Sequence, residues 1–128
     1  MKVKAGIIYN AIQVIDKLAE KPMKVSLVAK MLRLSDELEK ENQLIEKQRM
    51  EIIEKYGKKD ENGQLIIDEN GNVNFENEDI DEVQNELNEL SELEIDITDR
   101  EITQEELENN NLELSMNQFI ILNNFIHK

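Results

Sequence analysis

The chain of 128 residues has no cysteine, no tryptophan, one proline, four glycines and a single histidine. Without cysteine there is no disulfide framework, thiolate nucleophile or thiolate metal site, and the composition suits a reducing compartment. The lone imidazole, His127, is penultimate, where chain ends fray, so it offers no positioned base for a Ser-His-Asp or Cys-His arrangement. The glycines stand apart at 6, 57, 63 and 71, so no glycine-rich loop cradles a phosphate. Three Phe and two Tyr are the only aromatics, which leaves a thin core of Ile, Leu, Val and Met. Long apolar runs are missing too. Phe119–Leu122 is far too short to span a bilayer. After the basic start Met1-Lys2-Val3-Lys4, the stretch from Ala5 to Val14 is broken by Gly6, Asn10 and Gln13, so no signal peptide is read. A cytosolic protein without membrane association is expected.

Bases are scarce in the second half. From Asp60 onward there are twenty acids against Arg100 and Lys128, whereas residues 1–59 hold thirteen Lys and Arg against nine Asp and Glu. The net charge of −14 is therefore carried by one half of the chain, a pattern that points to a partner more than to a fold.

Periodicity predicts one α+β domain, mostly α, over 1–128. It divides into a near-neutral to basic helical half (1–57), a turn and β-hairpin (58–77) and an acidic helix-strand-helix half (78–128). Ile7, Ile8, Ala11, Ile12, Ile15 and Leu18 mark an amphipathic helix over about 5–20, ended near Pro22. A seven-residue seam of Leu27, Met31, Leu34, Leu38, Ile45, Ile52 and Tyr56 marks a second helix within 24–56. Ser26 is its candidate N-cap and Gly57 its stop. Whether this helix is unbroken is open, because Glu41 and Gln48 interrupt the seam. Its distal half is expected to be solvated or paired with another helix or chain, which makes it a candidate homodimer surface.

Asp-Glu-Asn-Gly is written twice, at 60–63 and 68–71. The second copy joins two β-capable runs, so a β-hairpin is expected at about 64–76. A third helix over about 78–93 carries Ile80, Val83, Leu87, Leu90 and Leu93. It returns along the second helix to give a long antiparallel helical hairpin tipped by the β-hairpin. Short strands at 1–4, 95–98 and 112–114 are expected to form a small sheet at the base. Thr103-x-x-Glu106 and Ser115-x-x-Gln118 read as capping boxes, the latter opening a C-terminal helix.

Asp68-x-Asn70-x-Asn72 resembles the start of a calcium loop. However, Val73 stands where that loop needs glycine and Asp79 where it needs a bidentate glutamate, so turn chemistry is the better reading. Asp96, Asp99 and Glu101 are the remaining candidates for a carboxylate metal site, with no lysine near in sequence. No cofactor, metal or catalytic residue is assigned, and no enzyme activity is expected. The basic residues Lys17, Lys21, Lys24, Lys30 and Arg33 are interleaved with few aromatics. The field of the whole chain repels phosphate, so direct nucleic-acid binding is not expected.

Glu78, Asp79, Asp81, Glu82, Glu86, Glu89, Asp96 and Asp99 form the candidate partner-binding set. Eight acids fall between Glu78 and Glu94. On a helix that is one charge about every 3 Å of axis, close to the ~3.4 Å phosphate spacing of one nucleic-acid strand. One reading is the ordinary solvated face of a helix, helped at its first turn by the helix dipole. The other is a surface that mimics nucleic acid, favoured by the lack of interspersed lysines.

Three stretches carry a family likeness: the first helix followed by Lys24-Val25-Ser26; Glu54-Lys55-Tyr56-Gly57 leading through both Asp-Glu-Asn-Gly copies; and Glu94-Ile95-Asp96-Ile97 before a capped apolar helix. Together they resemble small uncharacterised proteins encoded by phages and prophages of Firmicute bacteria. The resemblance implies a phage protein acting in the cytoplasm of a bacterial host. It brings no assigned site. Small acidic phage proteins of this kind act by occupying basic channels, so the expected function is inhibition of a host protein with a basic surface, for example a defence nuclease such as a CRISPR effector. A phage assembly factor or helical-hairpin chaperone working as an oligomer is the alternative.

Overall fold

A computed structural model describes residues 1–99 and 101–127; Arg100 and Lys128 lie outside the described residues. Strand β1 (Lys2–Lys4) leads directly into helix α1 (Ala5–Leu18). Helix α2 (Val25–Tyr56) is unbroken over 32 residues, about 48 Å at the usual helical rise. A 3-10 turn at Asn77–Asp79 opens α3 (Ile80–Glu92), which runs back along α2. β2 (Glu94–Asp96) then pairs antiparallel with β1, Val3 opposite Ile95. Helices α4 (Gln104–Asn109) and α5 (Met116–Leu122) and a 3-10 turn at Asn123–Phe125 close the base.

The core lies at the base and is built around α1. Seven of its residues are buried, Ala5, Ile8, Ala11, Ile12, Val14, Ile15 and Leu18, because α2, α3 and α5 all pack against this helix. The α2 seam is buried only at Leu27, Met31, Leu34 and Leu38. Beyond Leu38, the seam residues Ile45, Ile52 and Tyr56 are half-buried. Ile45 still packs on the edge of the core, whereas Ile52 and Tyr56 lie farther out along the arm. The long helix is thus anchored at one end and forms a two-helix arm at the other. No helix among the described residues is long and apolar enough to cross a membrane.

Several expectations are corrected. Ser26 does not cap α2. The helix starts from Lys24, whose carbonyl accepts from the N–H groups of Leu27 and Val28 and whose own N–H donates to Asn110 Oδ1 at 2.6 Å. The start is therefore set by a tertiary contact instead of a local cap. Residues 112–114 are not a strand, and among the described residues the sheet has two strands. Asn111 takes φ 54°, and the N–H groups of Asn111 and Leu112 return to the carbonyls of Glu108 and Leu107. That is a Schellman end to α4, and it turns Leu112 and Leu114 into the core rim. His127 is tied to the base by its backbone, whose N–H donates to the Ile102 carbonyl at 2.7 Å, although its ring is exposed. Both predicted capping boxes form, at Thr103–Glu106 and Ser115–Gln118.

The tip differs from a single hairpin. Both Asp-Glu-Asn-Gly copies turn the chain, with Gly63 and Gly71 at φ 78° and 79°. Three isolated bridges join Gly57 to Phe75, Lys59 to Leu65 and Ile67 to Val73. Each of the three short segments is bridged to both others, so the tip closes on itself. Gly57 makes this closure possible by its size. A Cβ there would lie 2.6 Å from Leu65 Cδ2, 2.8 Å from Val73 Cγ1 and 2.8 Å from the Ile53 carbonyl oxygen. Its φ of −65° is ordinary.

A candidate acidic interaction surface

Helix periodicity divides the α3 acids into two groups. Val83 and Leu90 are buried and Leu87 half-buried against α1 and α2. Asp81, Glu82, Glu89 and Glu92 fall on the other side and are exposed. Glu78, one turn before Glu82, extends the row through the 3-10 turn. Of these, only Glu92 has an ion pair among the described residues, with Lys4 Nζ at 2.6 Å. Glu78, Asp81, Glu82 and Glu89 have none, and Asn85 and Asn88 are the neutral residues between them. The result is an exposed carboxylate ridge along the arm.

Glu86 does not belong to this ridge. It lies three residues after Val83 and four before Leu90, so its side chain is directed at α2. There Lys55 Nζ donates to Glu86 Oε1 at 3.3 Å, and the same ammonium sits 4.9 Å from the ring centre of Tyr56. Hydrogen bonding from the Tyr56 hydroxyl, then the Lys55 charge, holds the Glu86 carboxyl below its ordinary value against the opposing effect of desolvation. The Tyr56 hydroxyl is raised chiefly by its bond to Glu86. The Lys55 ammonium is raised by its contacts with Tyr56 and then Glu86. Glu86 Oε2 is shielded from solvent without a hydrogen-bond partner of its own among the described residues. This cluster clamps the arm; the spacing of Glu86 in the sequence already marks it as inward-facing, whereas nothing in the sequence singles out Tyr56 and Lys55 as its partners.

The other candidates separate as well. Asp79 is half-buried at the start of α3. Asp96 is exposed on β2, opposite Lys2 across the sheet. Asp99 lies 3.4 Å from the Met1 amino nitrogen, which also donates to the Ile97 carbonyl at 2.9 Å. Asp96 and Asp99 thus belong to the base, near cations, and not to the ridge. Among the described residues no three His, Asp or Glu side chains are placed to hold a metal ion. In the calcium-like loop, Asp68 Oδ1 accepts from the N–H groups of Asn70 and Asn72, both at 2.9 Å. Asp60 does the same for Asn62 and Gln64 at 2.8 and 3.0 Å. These carboxylates are occupied in holding the turns. The basic residues read from the first helices are also partly committed: Lys30 pairs with Glu106 at 2.8 Å and Lys21 Nζ donates to the Glu113 carbonyl at 2.7 Å.

Over residues 1–127 the chain matches, and belongs to, the family described as protein of unknown function DUF1617. Comparison with curated proteins and with solved structures returns no match.

Proposed function

We propose that the protein is a non-enzymatic interaction protein whose α3 ridge binds a basic surface on a host protein. The observation that carries this reading is the row Glu78, Asp81, Glu82 and Glu89, exposed and without ion pairs among the described residues. An ordinary helix surface mixes signs, and α3 contains no lysine or arginine. The row places four carboxylates over about 16 Å of helix axis, roughly one per 4–5 Å, a single-sign row somewhat sparser than the phosphates of one nucleic-acid strand. It fits a channel that evolved to hold phosphates. In the context the sequence resemblance implies, a phage gene expressed in the cytoplasm of a Firmicute host, the target class is a nucleic-acid-binding host protein. A defence nuclease such as a CRISPR effector is the concrete form.

The test is a pull-down of tagged protein from host cells, followed by quantitative binding to the identified target at several salt concentrations. The triple variant E78K/E82K/E89K replaces three ridge carboxylates without touching the Glu86 clamp. The reading requires a steep loss of affinity in the variant and a linear fall of log affinity with log salt for the wild type. Affinity that is unchanged in the variant and insensitive to salt sinks it.

A second reading is an oligomeric assembly factor. It is supported by apolar surface left open on α2, where Val25 is 83% and Leu32 59% exposed. It requires the protein to co-purify with phage structural components and not with host proteins.

A further inference from the structure

The first turns of α2 leave one side of the helix uncovered. Val25, Val28 and Leu32 follow three-four spacing and are exposed. Beside them a cleft of about 300 Å³, lined by Ile15, Ala19, Met23 and Met31 among others, separates α2 from α1. In an otherwise charge-rich surface this is a mostly apolar patch with Asp16, Lys21 and Ser35 also lining its cleft; among the described residues Val25, Val28 and Leu32 stay exposed. The ends of the patch are charged in opposite senses. Lys21 and Lys24 precede it, and Asp36 and Glu39 follow on the same side of the helix. All four are exposed and none has an ion-pair partner among the described residues. Lys21 is held by the neutral Glu113 carbonyl, which leaves its charge uncompensated.

A strip that runs cation, apolar, anion complements itself when reversed. We propose that this strip is a homodimer interface, in which two copies of α2 cross antiparallel about a two-fold axis at the level of Lys30. In that register Val28 packs against the partner's Leu32 and Val25 against the partner's Ser35, the three-four interdigitation of paired helices. Lys24, at the start of the helix, then faces the partner's Asp36. Two-fold symmetry makes every pair occur twice. Parallel pairing would instead set Lys24 against Lys24 and Asp36 against Asp36, like charges that repel. The interface occupies the anchored end of α2, not the distal half that its sequence marks as unpaired. It uses no residue of the α3 ridge, so it stands or falls separately from the ridge's role.

The experiment is sedimentation equilibrium on the full chain at about 0.15 M salt, where screening over roughly 8 Å confines charge effects to local pairs. Circular dichroism of each variant confirms the fold, since every substituted side chain is exposed. The wild type is expected to dimerise and V28E/L32E to be monomeric. K24E and D36K are each expected to weaken the dimer by roughly tenfold. The combined K24E/D36K variant restores an opposite-charge pair in reversed sense and is expected to recover most of that loss. E78K/E82K/E89K is expected to dimerise like the wild type. A wild type that stays monomeric at about 1 mM overturns the interface and leaves the patch to another partner. A dimer indifferent to V28E/L32E also overturns it, as does a double charge swap that dimerises no better than either single variant.

Discussion

The Lys55 ammonium of α2 lies 3.3 Å from Glu86 Oε1 of α3, and this contact joins the two helices where the core has thinned to one layer. It converts one carboxylate of an acidic helix from a surface charge into a structural one. The same helix therefore contains acids of two kinds, and substitution separates them.

Glu86 gives the arm a pH dependence on both sides. Its carboxyl is held below the ordinary value, so its contribution is present above the unfolded-state pKa and is lost as pH falls through the lowered folded value. Lys55 and Tyr56 are raised, so their contribution is present below their unfolded-state values and is lost as pH rises through the raised ones. Thermal melts across the acidic and alkaline ranges are expected to flatten at both ends in Glu86→Gln. Glu86→Lys, which sets a cation against Lys55, is expected to lower the melting temperature, while Glu82→Lys and Glu89→Lys leave it near the wild-type value.

Gly57→Ala is expected to open the tip. The added methyl meets backbone as well as side chains, at 2.8 Å from the Ile53 carbonyl and 2.6 Å from Leu65 Cδ2. Overpacking of this sort costs about 1–3 kcal/mol. Chemical denaturation measures the loss, and amide exchange of Lys58 and Ile66, whose N–H groups bond within the tip, locates it. Unchanged exchange at those two amides would exclude a steric role for Gly57.

The two Asp-Glu-Asn-Gly turns are expected to respond alike. Asp60→Ala and Asp68→Ala each leave two backbone N–H groups without their carboxylate acceptor. Both sites are at the surface, where water replaces much of what is lost, so each is expected to cost about 1 kcal/mol. Gly63→Ala and Gly71→Ala place a Cβ at φ near 80°, a left-handed conformation that costs roughly 1–2 kcal/mol outside glycine. Calcium titration followed by the amide shifts of Asn70 and Asn72 is expected to show no saturable response, because Asp68 is committed to those amides.

Stability is expected to fall off along α2. Leu34→Ala removes a fully buried side chain and is expected to cost about 2–5 kcal/mol. Ile52→Ala, at a half-buried site on the arm, is expected to cost less than half as much. Native-state amide exchange checks the same gradient in the wild type: amides beyond Leu38 in α2 and those of α3 exchange through local opening, ahead of the α1-centred base. Uniform protection along α2 would mean that the arm and base unfold as one unit.

Much of this architecture is legible in local patterns. The two capping boxes form because Thr103 and Ser115 need only residues three positions away. Helix α3 keeps its expected course because its apolar spacing matches the turn of a helix. The first Asp-Glu-Asn-Gly copy is harder to read, since Lys58-Lys59 before it has no β character. Its turn is completed by pairing with Leu65 and by closure onto Phe75 and Val73. Ser26 is misread as a cap because Asn110, far along the chain, holds Lys24 and starts the helix two residues earlier. The alternation Leu112-Glu113-Leu114 is read as a strand because alternation alone does not distinguish a paired segment from one wrapped over a helix end.

The sequence by itself determined the helices, the turns, the acidic second half and the absence of cysteine, since these depend on residue type and short-range spacing. Tertiary structure decided which carboxylates are free. Glu86 is directed at Lys55, Asp99 sits by the Met1 amino group, and Glu78, Asp81, Glu82 and Glu89 are left to solvent. Charge is a property of composition, but whether a charge is available to a partner depends on which side of its helix packs and on what stands across from it. The same reason accounts for α2: its unbroken length follows from the lack of glycine and proline between Lys24 and Tyr56, whereas only the position of α1 left Val25, Val28 and Leu32 uncovered.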